Sequence, residues 1–253
     1  MTVIDEVYQE DKTGVPPAHP RILALANQKG GVGKTTSALN LAAVFALTRR
    51  IGVQPHGLAS TIVDVLAGWT TAQEALVTGV HGMDVLPATR ELAGVELALA
   101  GEAYRETVLL DALHGLVFDQ VVIDTPSNLG LLTVNALLAA DVVLAPVAAG
   151  DEGAAQGLAE LRATLAKLTR IRSTAPALEV IVTKASPRRV MGELIDDAIN
   201  ALGLEPVARI PERTAVEQAD VSRTPIAIAA PDSAVALAYQ QLAEHLEHRT
   251  VIA

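Results

Sequence analysis

The chain has 253 residues, half of them apolar, with a net charge of −10 at neutral pH and no cysteine. The missing cysteines exclude disulfides, thiolate metal sites and iron–sulfur clusters, and the acidic balance argues against a surface that is basic all over and coats nucleic acid. Because aromatic residues make up only 2% of the chain, its core must be built from alanine, valine, leucine and isoleucine. This composition favours parallel strands that are covered by helices on both faces.

The chain begins with a polar, acidic segment, residues 1–20, which ends in prolines and is predicted to form a flexible arm. Residues 21–253 contain no obvious linker, so we expect them to form a single domain. We find no apolar core of a signal peptide and no apolar stretch of the roughly 18 residues that span a bilayer. These features predict a cytoplasmic protein.

Short apolar runs alternate with helical patterns along residues 21–253, which predicts an α/β fold with a doubly wound, mostly parallel sheet. Strands are predicted at 21–27, 83–86, 118–124, 141–147, 178–183 and 207–210. Helices are predicted at 34–48, 93–116, 131–140, 157–168, 192–202 and 233–248.

A glycine-rich turn follows the first predicted strand and leads into the first predicted helix. Its predicted nucleotide-binding residues are Lys29, Gly30, Gly31, Val32, Gly33, Lys34, Thr35 and Thr36. Glycines let the backbone turn tightly and direct its N–H groups inward, and the helix that follows adds its positive end. In such a loop Lys34 is expected to reach the β- and γ-phosphates, and the Thr35 hydroxyl is expected to bind Mg²⁺.

The sequence NQKGGVGKTT resembles the deviant Walker A box of the ParA/MinD/Soj family of P-loop ATPases. In that family the additional lysine, here Lys29, reaches the nucleotide of a second subunit, so that ATP joins two protomers face to face. The resemblance implies ATP or ADP and Mg²⁺ as cofactors and a homodimer that forms on ATP binding. It also implies catalytic roles for Lys29 and Lys34.

A second motif lies where the predicted strand 118–124 ends in Asp124. A carboxylate at a strand tip beside a phosphate loop can hold Mg²⁺, often through a water molecule. Residues 118–141 resemble the Walker B region of the same family, although Ser127 stands where the family usually has a second proline. The resemblance implies that Asp124 is a catalytic and metal-binding residue and that the turn 125–130 senses the γ-phosphate.

Two further segments, 83–99 and 210–226, are similar to the ParA/Soj branch of the family. In the family the second of these segments lies near the adenine, which makes Pro211 and Glu212 candidates for contacts with the base. The alternative is that both residues belong to an ordinary loop.

One family motif is missing from the chain. Family members have a second strand that ends in a motif like VLLVDxDPQG, and its second aspartate is thought to orient or activate the attacking water. Here the stretch 49–57 reads RRIGVQPHG, so Gly52 and Gln54 stand where the two aspartates belong. The connection from the phosphate loop is also a few residues shorter than usual.

Three interpretations of this difference are open. In the first, Gln54 orients the water by hydrogen bonds, and turnover is slow because an amide cannot accept a proton. In the second, hydrolysis is nearly lost while nucleotide binding persists. In the third, another carboxylate, such as Asp151 or Glu152, reaches the site, or the sequence lacks residues here. The sequence therefore predicts an ATPase whose hydrolysis is weak or depends on a partner, with Gln54 as a candidate catalytic residue.

Basic residues are concentrated in one part of the chain, since ten of the 19 lysines and arginines lie between Arg162 and Arg223, among several carboxylates. ParA-like ATPases bind DNA without sequence preference, and neutralising phosphates requires no aromatic side chain. Candidate DNA contacts are Arg170, Arg172, Arg188, Arg189 and Arg213. The alternative is a solvated surface of mixed charge.

The resemblance implies a nucleoid-associated partition ATPase for chromosomes or plasmids, which dimerises with ATP, binds double-stranded DNA and is stimulated by a ParB-like partner. One alternative is a nucleotide-binding module that occupies DNA or a partner without appreciable hydrolysis. Another is a MinD-like positioning factor. The predicted C-terminal helix has few basic residues and carries Glu244 and Glu247, so we expect it to pack on the sheet and not to bind a membrane.

Overall fold

The computed structural model describes residues 20–48, 60–186, 191–212, 216, 219 and 224–248. The strands are β1 Arg21–Leu25, β2 Val77–Val80, β3 Met83–Val85, β4 Gln120–Asp124, β5 Val142–Ala148, β6 Ala177–Ala185 and β7 Pro206–Pro211. The helices are α1 Lys34–Thr48, α2 Ile62–Leu66, α3 Leu92–Leu99, α4 Val108–Leu113, α5 Leu131–Ala139, α6 Ala154–Leu168, α7 Met191–Asn200, α8 Ile226–Ala229 and α9 Ala234–His248.

Five strands form one parallel sheet in the order β4-β1-β5-β6-β7. In the sheet, β1 lies between β4 and β5, and the strands that follow β4 in the chain continue on the side of β5. The strand order therefore reverses at β1. Leu25 at the end of β1 is in register with both Asp124 and Leu144. Parallel sheets of this kind bind ligands beyond the carboxyl ends of their strands, at the place where the order reverses. Below, we call this side of the sheet the carboxyl edge and the opposite side the amino edge.

Two apolar layers cover the sheet, one on each face. Successive residues of β1 point to opposite faces of the sheet, so Ala24 packs against α5 and α6, whereas Leu23 packs against α1 and α9. In α9 the buried Tyr239 lies among the leucines of the second layer, and its hydroxyl is 3.0 Å from the Ser37 hydroxyl of α1. This arrangement confirms the predicted α/β fold with a parallel, doubly wound sheet.

The C-terminal helix α9 packs its apolar side against the sheet. Val235, Leu242 and Leu246 are buried in the same layer as α1 and β7. The sheet therefore covers the apolar face of α9, as expected from the sequence. Within the described residues, no helix combines the length and the apolar character that crossing a membrane requires.

The structure corrects two predicted elements. The predicted strand at 83–86 is not part of the parallel sheet, because β3 pairs antiparallel with β2 in a separate two-stranded sheet. A two-residue turn joins them, with a φ of 53° at His81 and of 82° at Gly82. Two successive positive φ angles are typical of the tight turn of a β-hairpin. The predicted helix at 93–116 is two helices, α3 and α4, and Tyr104 between them has a φ of 59° that a helix cannot contain.

Residues 1–19 lie outside the described residues, so the flexible arm stays a prediction. The assignment of residues 21–253 to one domain also stays a prediction.

Candidate functional site

The glycine-rich loop leaves the end of β1 at the carboxyl edge of the sheet and is held from both sides. Asn27 is buried, donates from its amide nitrogen to the Pro146 carbonyl at 2.7 Å, and accepts from the Lys29 N–H at 3.0 Å. Further along, the Thr183 hydroxyl at the end of β6 donates to the Val32 carbonyl at 2.8 Å. The side chains of Asn27, just after β1, and of Thr183 in β6, with a carbonyl of β5, therefore fix the loop.

Two glycines allow the loop to turn back on itself. Gly31 has a φ of 72° and Gly33 a φ of 90°, which is a backbone region that residues with a side chain adopt only with strain. The chain then enters α1, where the Ser37 N–H donates to the Gly33 carbonyl at 2.9 Å. The preceding N–H groups have no partner within the helix, so loop and helix end together form a cradle for an anion.

Lys34 is buried beneath this loop, and its ammonium group has two described contacts. Nζ donates to the Lys29 carbonyl at 2.9 Å and to the Ser127 hydroxyl at 2.8 Å. Burial lowers the pKa of Lys34, and the carboxylate of Asp124 partly opposes this shift. The positive charge therefore lies between the loop and the turn that follows β4, where phosphate groups in the cradle would meet it.

Thr35 and Asp124 meet beside the loop. The Thr35 hydroxyl donates to Oδ2 of Asp124 at 2.7 Å, as the register of β1 with β4 allows. Desolvation raises the pKa of Asp124 although the residue lies at an exposed strand tip, while the Thr35 hydrogen bond and Lys34 lower it. Two adjacent oxygen ligands suit Mg²⁺, which usually completes its shell with water and phosphate oxygens. Within the described part of the chain, no cluster of three or more His, Asp or Glu side chains offers a metal site made of protein alone.

Lys29 forms an ion pair with Asp151, from the loop between β5 and α6. The Asp151 side chain is only 3% exposed, whereas that of Lys29 is 55% exposed. Oδ1 of Asp151 also accepts the Gly153 N–H at 2.9 Å. The sequence suggested Asp151 as a substitute for the missing aspartates, but here its carboxylate is paired with Lys29. Glu152 is exposed beside it.

The turn after β4 is anchored at both ends. At its start the Thr125 hydroxyl donates to the Leu25 carbonyl at 2.7 Å. At its end Asn128 accepts from the Gly130 N–H at 3.0 Å and from the Thr133 hydroxyl at 2.8 Å. The turn predicted to sense a γ-phosphate is therefore a fixed structure that includes Ser127.

Sequence reasoning missed Glu96 of α3, which contacts this turn from outside. Its carboxylate accepts the Leu131 N–H at 2.5 Å, at the start of α5, and lies so close to Gly130 that a side chain there would displace it. A carboxylate at a helix start is stabilised by the free N–H groups there. The only signal in the sequence was that 83–99 resembles the ParA/Soj branch, which does not identify the contact.

A cavity of about 660 Å³ lies between α1, β3 and β4. Most of its lining is apolar, including Leu39, Phe45 and Met83, and at one end it reaches Thr35 and Asp124. Apolar walls do not suit a triphosphate, whereas the N–H groups and the lysine of the loop do.

The candidates for adenine contact lie at the same edge of the sheet. Pro211 ends β7 in register with Ala185, and the Glu212 N–H donates to the Ala185 carbonyl at 3.0 Å. Their contact with a base stays a prediction. The same holds for the catalytic role of Gln54, which lies with Gly52 outside the described residues.

Two of the candidate DNA-binding arginines are described, and both follow α6 at the amino edge of the sheet, away from the phosphate loop. Arg170 is exposed. Arg172 donates to the carbonyls of Leu138 and Ala140 and to Asp141, and so ties the end of α5 to the start of β5. This gives Arg172 a structural role that the sequence did not indicate. Arg188, Arg189 and Arg213 lie outside the described residues.

Comparison with known proteins places this site in a family. The family described as "AAA domain" matches residues 20–49 and 44–180. The chromosome-partitioning ATPase Soj of Thermus thermophilus is 37% identical over 246 residues, covering 92% of this chain and 97% of that protein. The chromosome partitioning protein ParA of Caulobacter vibrioides is 35% identical over 256 residues, covering 90% of this chain and 94% of that protein.

Solved structures of similar fold include a cobyrinic acid a,c-diamide synthase from Mycobacterium smegmatis, solved with an ATP analogue and magnesium. It has a TM-score of 0.75 and 28% identity, covering 90% of this chain and 94% of that one. The cell division ATPase MinD of Pyrococcus furiosus shares the fold, with a TM-score of 0.69 at 22% identity and coverage of 90% and 98%. The sheet order, the deviant phosphate loop and the relatives agree, and the chain therefore belongs to the ParA/Soj type of P-loop ATPases within the ParA/MinD family.

Proposed function

We propose that this chain is an ATP-dependent switch for chromosome or plasmid partition, which dimerises with ATP and then binds double-stranded DNA without sequence preference. The observation that carries the proposal is the grouping of Lys29, Lys34, Thr35 and Asp124 around a single phosphate loop. Relatives with 35% and 37% identity over most of the chain are named as chromosome-partitioning proteins, which supports this choice of process.

The residues present fit ATP and Mg²⁺. The loop N–H groups and Lys34 would hold the β- and γ-phosphates, and Thr35 and Asp124 would hold Mg²⁺ directly or through water. When bound, Mg²⁺ neutralises the charge that develops on the transferred phosphoryl group. The 2.7 Å contact between Thr35 and Asp124 supports this assignment because it already brings two oxygen ligands together.

Lys29 supports the proposed dimer. Its side chain is more than half exposed, and its described ion-pair partner, Asp151, belongs to the same chain. A lysine held at the loop surface can exchange that partner for the phosphates of a second subunit. ATP would then join two protomers at the carboxyl edges of their sheets.

The described carboxylates support slow intrinsic hydrolysis. Asp124 accepts a hydrogen bond from Thr35 and would bind Mg²⁺, which makes it a poor base for the attacking water, and Asp151 is paired with Lys29 until a second subunit takes up that lysine, so neither accepts a proton from water in the monomer. A ParB-like partner would then be needed to accelerate turnover. The same observation favours a second candidate function, a nucleotide-binding module that occupies DNA or a partner without appreciable hydrolysis.

Steady-state phosphate release, measured with DNA and the partner protein present, separates these two functions. The same samples are examined by gel filtration with ATP and with ADP. We expect slow, partner-stimulated turnover and a dimer that forms only with ATP. Absence of turnover together with an ATP-dependent dimer would favour the binding module, and absence of nucleotide binding would contradict both.

Three lysine variants define the site in this experiment. Lys34→Ala should abolish nucleotide binding, and Lys29→Ala should bind nucleotide but stay monomeric. Lys167→Ala, near the end of α6, is the matched control and should bind nucleotide and dimerise like the unchanged protein. An ATP-dependent dimer of normal stability after Lys29→Ala would contradict the proposed role of Lys29.

A further inference from the structure

Ser127 lies over the phosphate loop. Its hydroxyl oxygen is 2.8 Å from Nζ of Lys34, the group proposed to hold the β- and γ-phosphates. On the loop side, a Cβ placed on Gly30 would lie 3.8 Å from the same oxygen. The hydroxyl therefore occupies the space between the loop and the turn after β4, next to the expected position of the terminal phosphate.

Ser127 also has unused hydrogen-bonding capacity. Its hydroxyl accepts from Lys34, and within the described residues neither its hydroxyl proton nor its backbone N–H is donated to another group. A serine hydroxyl can donate one hydrogen bond and accept two. A proline at this position would provide neither donor. Ser127 thus offers two donors beside the loop, its hydroxyl and its backbone N–H.

The turn holds these donors in place before any ligand arrives. Thr125 and Asn128 on either side of Ser127 are each fixed by hydrogen bonds, to Leu25 and to Gly130 and Thr133 respectively. Donors that are already positioned lose little conformational entropy when they bind a ligand. A phosphate oxygen accepts such bonds with the added strength of its negative charge.

We propose that Ser127 binds the γ-phosphate of ATP through its hydroxyl and its backbone N–H, and so determines the preference of this chain for ATP over ADP. The inference rests on the proposed function, since it requires the phosphate loop to hold the nucleotide. On binding, Lys34 would exchange its contact with Ser127 for phosphate oxygens, and the hydroxyl proton would be donated to the γ-phosphate.

Calorimetric titration with Mg·AMPPNP and with Mg·ADP tests the inference on the whole chain. We expect Ser127→Ala to weaken AMPPNP binding about tenfold, the loss of one hydrogen bond to a charged group, and to leave ADP binding within about twofold. Ser127→Pro removes both donors and should weaken AMPPNP binding further. Ser127→Thr keeps the hydroxyl and should bind AMPPNP within about threefold of the unchanged protein.

Ser173→Ala, in the exposed turn before β6, is the matched control and should change neither affinity. Equal losses of AMPPNP and ADP affinity after Ser127→Ala would mean that Ser127 only supports the fold of the site, and this would overturn the inference. Unchanged affinities would overturn it as well. If the unchanged protein binds neither nucleotide, the proposed function itself fails, and this result is distinct from the other two.

Discussion

The ion pair between Lys29 and Asp151 predicts that a neutral residue at position 151 promotes dimerisation. Asp151 is buried and forms an ion pair with Lys29, whose own side chain is 55% exposed. A dimer in which Lys29 contacts the opposite nucleotide must break this pair and leave a buried carboxylate without its counter-charge. Asp151→Asn removes that cost, while its amide oxygen can still accept the Gly153 N–H.

The size of the effect follows from the geometry. Because Lys29 is 55% exposed, solvent screens the pair, and we assign it about 1 kcal/mol, the upper part of the range for exposed pairs. Each dimer breaks two such pairs, so the gain is about 2 kcal/mol, or about a 30-fold lower dissociation constant for the dimer.

Sedimentation equilibrium in Mg·AMPPNP and in Mg·ADP measures the dissociation constant of the dimer for the unchanged protein and for Asp151→Asn. Glu152→Gln neutralises the adjacent exposed carboxylate and serves as the control, which should leave the dimer unchanged. A dimer of Asp151→Asn that is no tighter than that of the unchanged protein would refute the reasoning. Equally tight dimers in ADP would refute it too, because Lys29 would then not depend on the nucleotide.

Three further predictions concern the site. Gly33→Ala places a side chain at a φ of 90° and should destabilise the fold by about 1–2 kcal/mol in urea unfolding, whereas Gly94→Ala in α3, where a Cβ meets nothing, should not. The pKa of Asp124 is raised above the ordinary 3.8, so its carboxylate is protonated at a higher pH than that of an ordinary aspartate. The affinity of ADP-bound protein for Mg²⁺ should therefore start to fall at a correspondingly higher pH. A titration series between about pH 4 and 7 that shows no fall in affinity would contradict this. Glu96→Ala should lower the free energy of unfolding by about 1–2 kcal/mol through loss of the Leu131 contact, and Glu96→Gln should recover part of it.

The sequence was sufficient to predict the parallel, doubly wound sheet, apart from the segment 83–86, and the position of Asp124 at a strand end beside the glycine-rich loop. These features depend on local patterns: an apolar strand, a glycine-rich turn, and a carboxylate at the end of a second strand. Once both strands are parallel and in one sheet, their carboxyl ends must meet, and the 2.7 Å contact follows from the register of Leu25 with Asp124.

The features that the sequence did not predict join segments far apart in the chain. Asp151 meets Lys29 across 122 positions, and Glu96 meets Leu131 across 35. Arg172 was predicted only as a DNA contact, which stays a prediction, and its hydrogen bonds to the carbonyls at the end of α5 were not anticipated. A single charged residue carries no pattern of its own, so only the packed fold reveals its partner. The hairpin of β2 and β3 had a signal in His81 and Gly82, a two-residue turn ending in glycine, which was not recognised.

The separation of the two edges of the sheet has a practical use. The described candidates for nucleotide contact lie at the carboxyl edge, while the exposed turn that contains Ser173 lies at the amino edge, and the chain has no cysteine. Ser173→Cys would therefore create one attachment point for a fluorophore. A mixture of donor- and acceptor-labelled protein could then report subunit exchange in real time by energy transfer, without a dye near the phosphate loop.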